Sequence, residues 1–223
     1  MNDPANAIDL VLFDCDGTLV DSEVVAAEAW SDYVARFGVD LTAREALTQF
    51  RGTSMKLCIA RIEELHGKPL PASFEQELRA LMSEMLEARL QPIAGALEMV
   101  QALSIPYALA SNAPHPKIEL CLRLTGLLPY FAGRIFSAYD VQRWKPDPAL
   151  FLFAAERLGV APARCAVVED SLPGVHAGLA AGMKVIALQE HGVHPEMPDE
   201  VSVITRLADL HPHLRQRHAG ASR

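Results

Sequence analysis

Short, nearly unbroken apolar runs recur along the chain, each closed by a turn and followed by a helical pattern. They lie at residues 9–13, 107–110, 134–136, 165–168 and 184–188, with a weaker run at 201–204. Runs without polar alternation suit strands covered on both faces, as in a parallel sheet whose crossovers are helices. The pattern predicts an α/β protein with a Rossmann-like three-layer core built on a parallel sheet.

Between the first run and Pro92 the periodicity is helical only. Val24, Ala27, Trp30, Val34 and Phe37 recur at helical spacing before Gly38. Cys58, Ile59, Ile62 and Leu65 form a second stripe over 55–66, and Leu78, Leu81, Met82 and Met85 mark a third helix over 74–90. Pro69 and Pro71 punctuate the last two. Roughly 70 residues is several times the length a simple crossover needs. The expectation is an inserted α-helical cap at 21–91 on a core made of 1–20 and 92–223, with hinges at 20–22 and 91–92. Such a lid excludes water and carries specificity residues over a site.

Composition narrows the partners. Half of the 223 residues are hydrophobic and 22% are charged, and 20 Lys plus Arg against 28 Asp plus Glu give a net charge of -8. That balance opposes a broad nucleic-acid surface but leaves room for a small phosphorylated metabolite. No apolar stretch approaches the ~20 residues of a bilayer span, and the first residues carry no basic, apolar signal pattern. The expectation is a cytoplasmic protein without nucleic-acid or membrane partners, acting as a monomer or weak homodimer. Cys15, Cys58, Cys121 and Cys165 form no CxxC pair, so zinc and thioredoxin-like chemistry lack support. A cysteine phosphatase would carry Arg six positions after its Cys, where this chain has Asp21, Glu64, Leu127 and Ser171. The thiols read as small buried hydrophobes kept reduced.

Open α/β sheets bind ligands outside the carboxyl ends of their strands, and the chemistry-bearing residues follow the strands. Asp14, Cys15, Asp16, Gly17 and Thr18 follow the first, Ser111 and Asn112 follow "YALA", Lys145 follows "RIFSAYDVQRW", and Glu169, Asp170 and Ser171 follow "CAVV". Four acids in one crevice repel unless protonated or compensated by a cation. Oxygen ligands beside a phosphate suit Mg²⁺. Side chains alternate along a strand end, so Asp14 and Asp16 share a direction and Cys15 turns to the core.

"DCDGT", "SN", "KPDP" and "VEDS", in this order, resemble the four signature motifs of the haloacid dehalogenase-like hydrolases, in the phosphatase and β-phosphoglucomutase-like branch with a helical cap. The resemblance implies phosphoryl transfer through an aspartyl-phosphate. Asp14 would be the nucleophile and Asp16 the general acid, then base. Ser111 and Asn112 would hold phosphoryl oxygens, and Lys145 would offset charge. Asp14, Asp16 through its carbonyl, Glu169 and Asp170 would hold Mg²⁺. Dehalogenases of this superfamily lack the second Asp. Mutases of the same cap type carry a His near the position of Ala26, and residues 19–37 contain none; hydrolysis is favoured over mutase action. A noncatalytic phosphate-binding module would be expected to have lost Asp14, Asp16, Lys145 or Asp170.

"RGTSMK" at 51–56 matches the cap segment where the family places substrate contacts, which makes Arg51 and Lys56 candidates. "SAYDVQRWKPDPALF" resembles the matching stretch of sugar-acid phosphatases in the family. It implies a phosphorylated sugar or sugar acid, such as 6-phosphogluconate, with Arg143 pairing with a carboxylate. His191 and His194 lack a third ligand and read as a rim loop. The segment 211–223 reads as one helix and a trailing end, not a nucleic-acid arm.

Overall fold

Among the residues described by this computed structural model (7–51, 53–190 and 192–214), six short strands form one parallel sheet. They are β1 (Leu10–Phe13), β2 (Tyr107–Ser111), β3 (Ile135–Ser137), β4 (Cys165–Glu169), β5 (Lys184–Leu188) and β6 (Ser202–Ile204), in the order β3-β2-β1-β4-β5-β6. β1 pairs with β2 from Val11↔Tyr107 to Phe13↔Leu109, and with β4 from Leu10↔Cys165 to Phe13↔Val168. The chain winds outward on both sides of β1, so strand order reverses there. The carboxyl ends of β1, β2 and β4 therefore open onto one crevice.

Four helices stand between β1 and Pro92: α1 (Ser22–Val34), α2 (Ala43–Phe50), α3 (Met55–His66) and α4 (Phe74–Arg89). They bury their own apolar cluster, in which Trp30, Tyr33, Cys58, Ile62, Phe74 and Leu78 meet. Two helical stripes differ from expectation. Val24 is 42% and Leu65 46% exposed, while Val25 and Ala29 of α1 join Met85 and Leu86 of α4 against the sheet. α2 has no counterpart in the three-helix reading. It buries only Ala46, and a capping box between Thr42 and Glu45 fixes its start.

The two connections to the insertion lie side by side. Val20 bridges to Pro92 in antiparallel fashion, Asp21 N–H donates to the Gln91 carbonyl (2.9 Å), and Ile93 N–H donates to that of Leu19 (3.0 Å).

The remaining helices are α5 (Ala96–Ala102), α6 (His115–Leu124), α7 (Leu128–Phe131), α8 (Ala138–Val141), α9 (Ala149–Arg157), α10 (Leu172–Ala180) and α11 (Leu210–Leu214). Val11 and Phe13 face a cluster with α5, α6, α7 and α11, whereas Leu10 and Leu12 face one with α8, α9 and α10. The alternation explains why β1 reads as a continuous apolar run: both faces are covered. Residues 215–223, the end of the tail segment, fall outside the described residues. No described helix is long and apolar enough to cross a membrane.

Candidate active site

β1 ends on Asp14, whose backbone N–H still donates to the Val168 carbonyl (3.0 Å). Asp14 and Asp16 line the crevice, and Cys15 turns the other way into the core at 1% exposure. Burial raises the Cys15 thiol well above its ordinary value, with Asp16 adding to the effect, so it is no nucleophile. Gly17 follows at φ +79°, and a Cβ there would stand 2.3 Å from Asp170 Oδ2. The turn needs glycine twice over, for its left-handed backbone and for the carboxylate beside it.

Lys145 is the hub. Its ammonium donates to Asp14 Oδ1 (2.6 Å), Glu169 Oε1 (2.7 Å) and the Ala110 carbonyl (2.8 Å), which uses all three protons. It also stands 4.8 Å from the centre of the Phe151 ring. Asn112 places it, since Asn112 Oδ1 accepts the Lys145 backbone N–H at 2.9 Å. Ser111, fully buried at the end of β2, accepts from Ala113 N–H (3.1 Å). Burial opposes the Lys145 charge, but its two carboxylates overcome that and raise its affinity for the proton. Glu169 Oε2 in turn accepts from Asp170 N–H, Ser171 N–H and Ser171 Oγ, each at 2.9 Å.

Asp16 and Asp170 are held by cations that arrive from other elements. Lys117, in the first turn of α6, donates to Asp16 Oδ1 (2.7 Å), and Ser22 Oγ donates to the same oxygen. Burial pushes Asp16 up, yet Lys117 and Ser22 prevail and hold it below the usual carboxylate range. Asp14 goes the other way: burial raises it well above normal against the pull of Lys145, with Glu169 adding repulsion. Asp170 is pushed up to about 7 by burial and Glu169, against Arg51. Arg51, at the C-terminal end of α2, donates from Nε (2.9 Å) and Nη2 (2.5 Å) to Asp170 Oδ2.

A cavity of about 390 Å³ joins these groups to the insertion, a size that suits a small metabolite. Of the sequence candidates, Asp14, Asp16, Ser111, Asn112, Lys145, Glu169, Asp170, Arg51 and Lys56 all line it. Arg143 does not: its side chain is 66% exposed and pairs with Asp147 (3.0 Å), while its neighbour Trp144 faces the cavity. His194 is exposed on its loop, and His191 falls outside the described residues. Glu23, Arg79 and Lys117 also line the cavity and were not found by sequence reasoning. No spacing rule connects them to the motifs; only the crossing of α1, α4 and α6 over the strand ends does.

Asp14, Glu169 and Asp170 offer carboxylate oxygens that all lie within 4.8 Å of one another. An all-oxygen anionic set is the donor chemistry of a hard divalent cation. Since Lys145 and the 169–171 loop already occupy both Glu169 oxygens, Asp14 and Asp170 are the better placed ligands.

The haloacid dehalogenase-like hydrolase family model matches residues 8–182. The chain is 36% identical over 209 residues to 6-phosphogluconate phosphatase of Escherichia coli K12, covering 91% of this chain and 93% of that protein. It is 34% identical to hexitol phosphatase A of the same organism, covering 86% and 88%. Among solved structures, a HAD family hydrolase from Deinococcus radiodurans with bound phosphate and sodium superposes with TM-score 0.77 at 34% identity, covering 94% of this chain and 96% of that one.

Proposed function

This chain belongs to the haloacid dehalogenase-like hydrolases and is a phosphatase, and from that premise we propose that it hydrolyses a small phosphorylated sugar or sugar acid through a phosphoaspartate on Asp14. The observation that carries the reading is the pair Asp14 and Asp16 in one cavity, each gripped by its own lysine. The names of its relatives, phosphatases of 6-phosphogluconate and of hexitols, support the substrate class.

In the first half-reaction an Asp14 oxygen attacks phosphorus, and the bond from phosphorus to the substrate oxygen breaks as Asp16 passes its proton to that oxygen. Lys117 keeps Asp16 ionised in the free site; the negative charge of an arriving phosphate favours the protonated form the acid role requires. In the second half, Asp16 takes a proton from water as it attacks the phosphoaspartate, releasing phosphate and restoring Asp14. Lys145 neutralises charge on Asp14 and the phosphoryl group, and Ser111 with the backbone at 15, 16 and 112 binds phosphoryl oxygens. Mg²⁺, held by Asp14, Asp170 and the Asp16 carbonyl with Glu169 behind them, would supply charge neutralisation at the phosphoryl group.

Residues 21–91 act as a lid in this reading, hinged at the paired segments 20–22 and 91–92, with Arg51 and Lys56 facing the substrate. A mutase is disfavoured because Ala26, where the mutase His would stand, lines the cavity with a methyl group. The test is phosphate release from 6-phosphogluconate, hexitol phosphates and fructose 1-phosphate with Mg²⁺. Turnover of at least one is expected, and none by Asp14→Asn; activity surviving in Asp14→Asn would overturn the mechanism.

A further inference from the structure

Glu23 is the one acidic side chain of α1 that lines the cavity. It sits in the first turn of the helix, immediately past the hinge segment, and is half-buried. Among the described residues it makes no hydrogen bond and no ion pair, although Asp16, Lys117 and Arg51 all act on it electrostatically. Those three are committed elsewhere: Lys117 to Asp16, and Arg51 to Asp170. A carboxyl partly withdrawn from water and without a protein partner carries a desolvation cost. Burial pushes it up to about 7, with Asp16 adding to the shift and Lys117 and Arg51 opposing it. Such a cost is sustained where a ligand completes the group.

The chemistry of that ligand follows from charge. A phosphate or carboxylate would be repelled by Glu23, and Lys56 lines the same cavity and can receive an anionic group. What a carboxyl can pair with on an anionic substrate is a hydroxyl, which donates to it when ionised and also accepts from it when protonated. We propose that Glu23 is a specificity-determining residue that hydrogen-bonds substrate hydroxyls near the phosphoester, so that the enzyme selects phosphorylated polyols over plain alkyl phosphates. The inference rests on the phosphatase reading above and names the part of the substrate that α1 selects.

The test compares a hexitol phosphate or 6-phosphogluconate with n-hexyl phosphate, which has a similar alkoxide leaving group and no free hydroxyl. Wild type is expected to prefer the polyol in kcat/KM. Glu23→Leu should raise KM for the polyol phosphate about tenfold while leaving kcat within about twofold, as loss of one or two substrate hydrogen bonds implies. Glu23→Gln, which still donates and accepts, should recover most of the loss, and n-hexyl phosphate should be turned over equally by all three proteins. That last measurement also reports correct folding. An equal fall for both substrates, or a loss confined to kcat, would place Glu23 in the chemistry or the scaffold and overturn the inference. If wild type hydrolyses n-hexyl phosphate as well as the polyols, the substrate class and this inference both fall. If wild type prefers polyols and Glu23→Leu keeps that preference, only the inference about Glu23 falls.

Discussion

Gly174 shows how closely a single residue is tied to the site. It is the third residue of α10, with ordinary helical backbone, so helix propensity alone says that alanine would stabilise by about 1 kcal/mol. A Cβ built there, however, would lie 1.8 Å from Glu169 Oε1, the oxygen that Lys145 grips. Overpacking against a buried, fully hydrogen-bonded carboxylate costs about 1–3 kcal/mol. The clash wins, and it acts on chemistry as well as stability because Glu169 must move off Lys145. Gly174→Ala is therefore expected to lose roughly 1–2 kcal/mol in urea unfolding and to lower kcat sharply. A stabilised, active variant would mean that Glu169 does not position Lys145. Lys145 itself is a buried cation whose partners are Asp14 and Glu169, so its truncation would leave two uncompensated carboxylates behind.

At the level of elements, α2 is the short helix that delivers Arg51 to Asp170. Its Leu47 and Phe50 pack with buried Ala46 on the apolar cluster of the insertion, while its start is fixed by the reciprocal bonds of Thr42 and Glu45. Glu45 N–H donates to Thr42 Oγ1 (3.2 Å) and Thr42 N–H donates to Glu45 Oε2 (2.8 Å). Removing such a cap costs about 1 kcal/mol, which corresponds to roughly fivefold more opening of the local unit. Thr42→Ala should speed amide exchange across 43–50 by about that factor while the sheet amides of β1 and β4 keep their protection. Equal acceleration in the sheet would show that the insertion and the core open as one unit. The same capping pair, T-x-x-E, stands in the sequence. It marks the start of α2, and Ala43, Ala46, Leu47 and Phe50 follow at helical spacing.

For the whole molecule, the buried acids couple stability to pH and to metal. Asp170 is pushed up to about 7 in the metal-free protein, against about 4 for an unfolded carboxyl. Between those values the native state holds a proton that the unfolded state releases, so this group's contribution is full below pH about 4 and is lost as pH rises towards 7. The metal-free protein should therefore lose of order 2 kcal/mol, about 5 °C in Tm, between about pH 5 and pH 7.5. Asp170→Asn should flatten that slope. Mg²⁺ should raise Tm more at the higher pH, since it stabilises the ionised carboxylates. Identical slopes for wild type and Asp170→Asn in scanning calorimetry would remove Asp170 as the origin.

The amino-acid sequence by itself determined the parallel sheet, the helical insertion after β1 and the placing of Asp14, Asp16, Ser111, Lys145, Glu169 and Asp170 at strand ends. These are local properties: apolar runs specify strands covered on both faces, and polar residues that end such runs fall at the crevice. It also settled Cys15 as a core residue through the alternation of a strand. Tertiary structure alone decided which cations answer the acids. Lys117 meets Asp16 across 101 positions and Arg51 meets Asp170 across 119, and neither pairing has a periodicity that could announce it. It also turned Arg143 to Asp147 on the surface and brought Glu23 into the cavity without a partner among the described residues. Charge pairing in a buried site depends on how elements cross over the strand ends, and that crossing is fixed by the packing of all of them together.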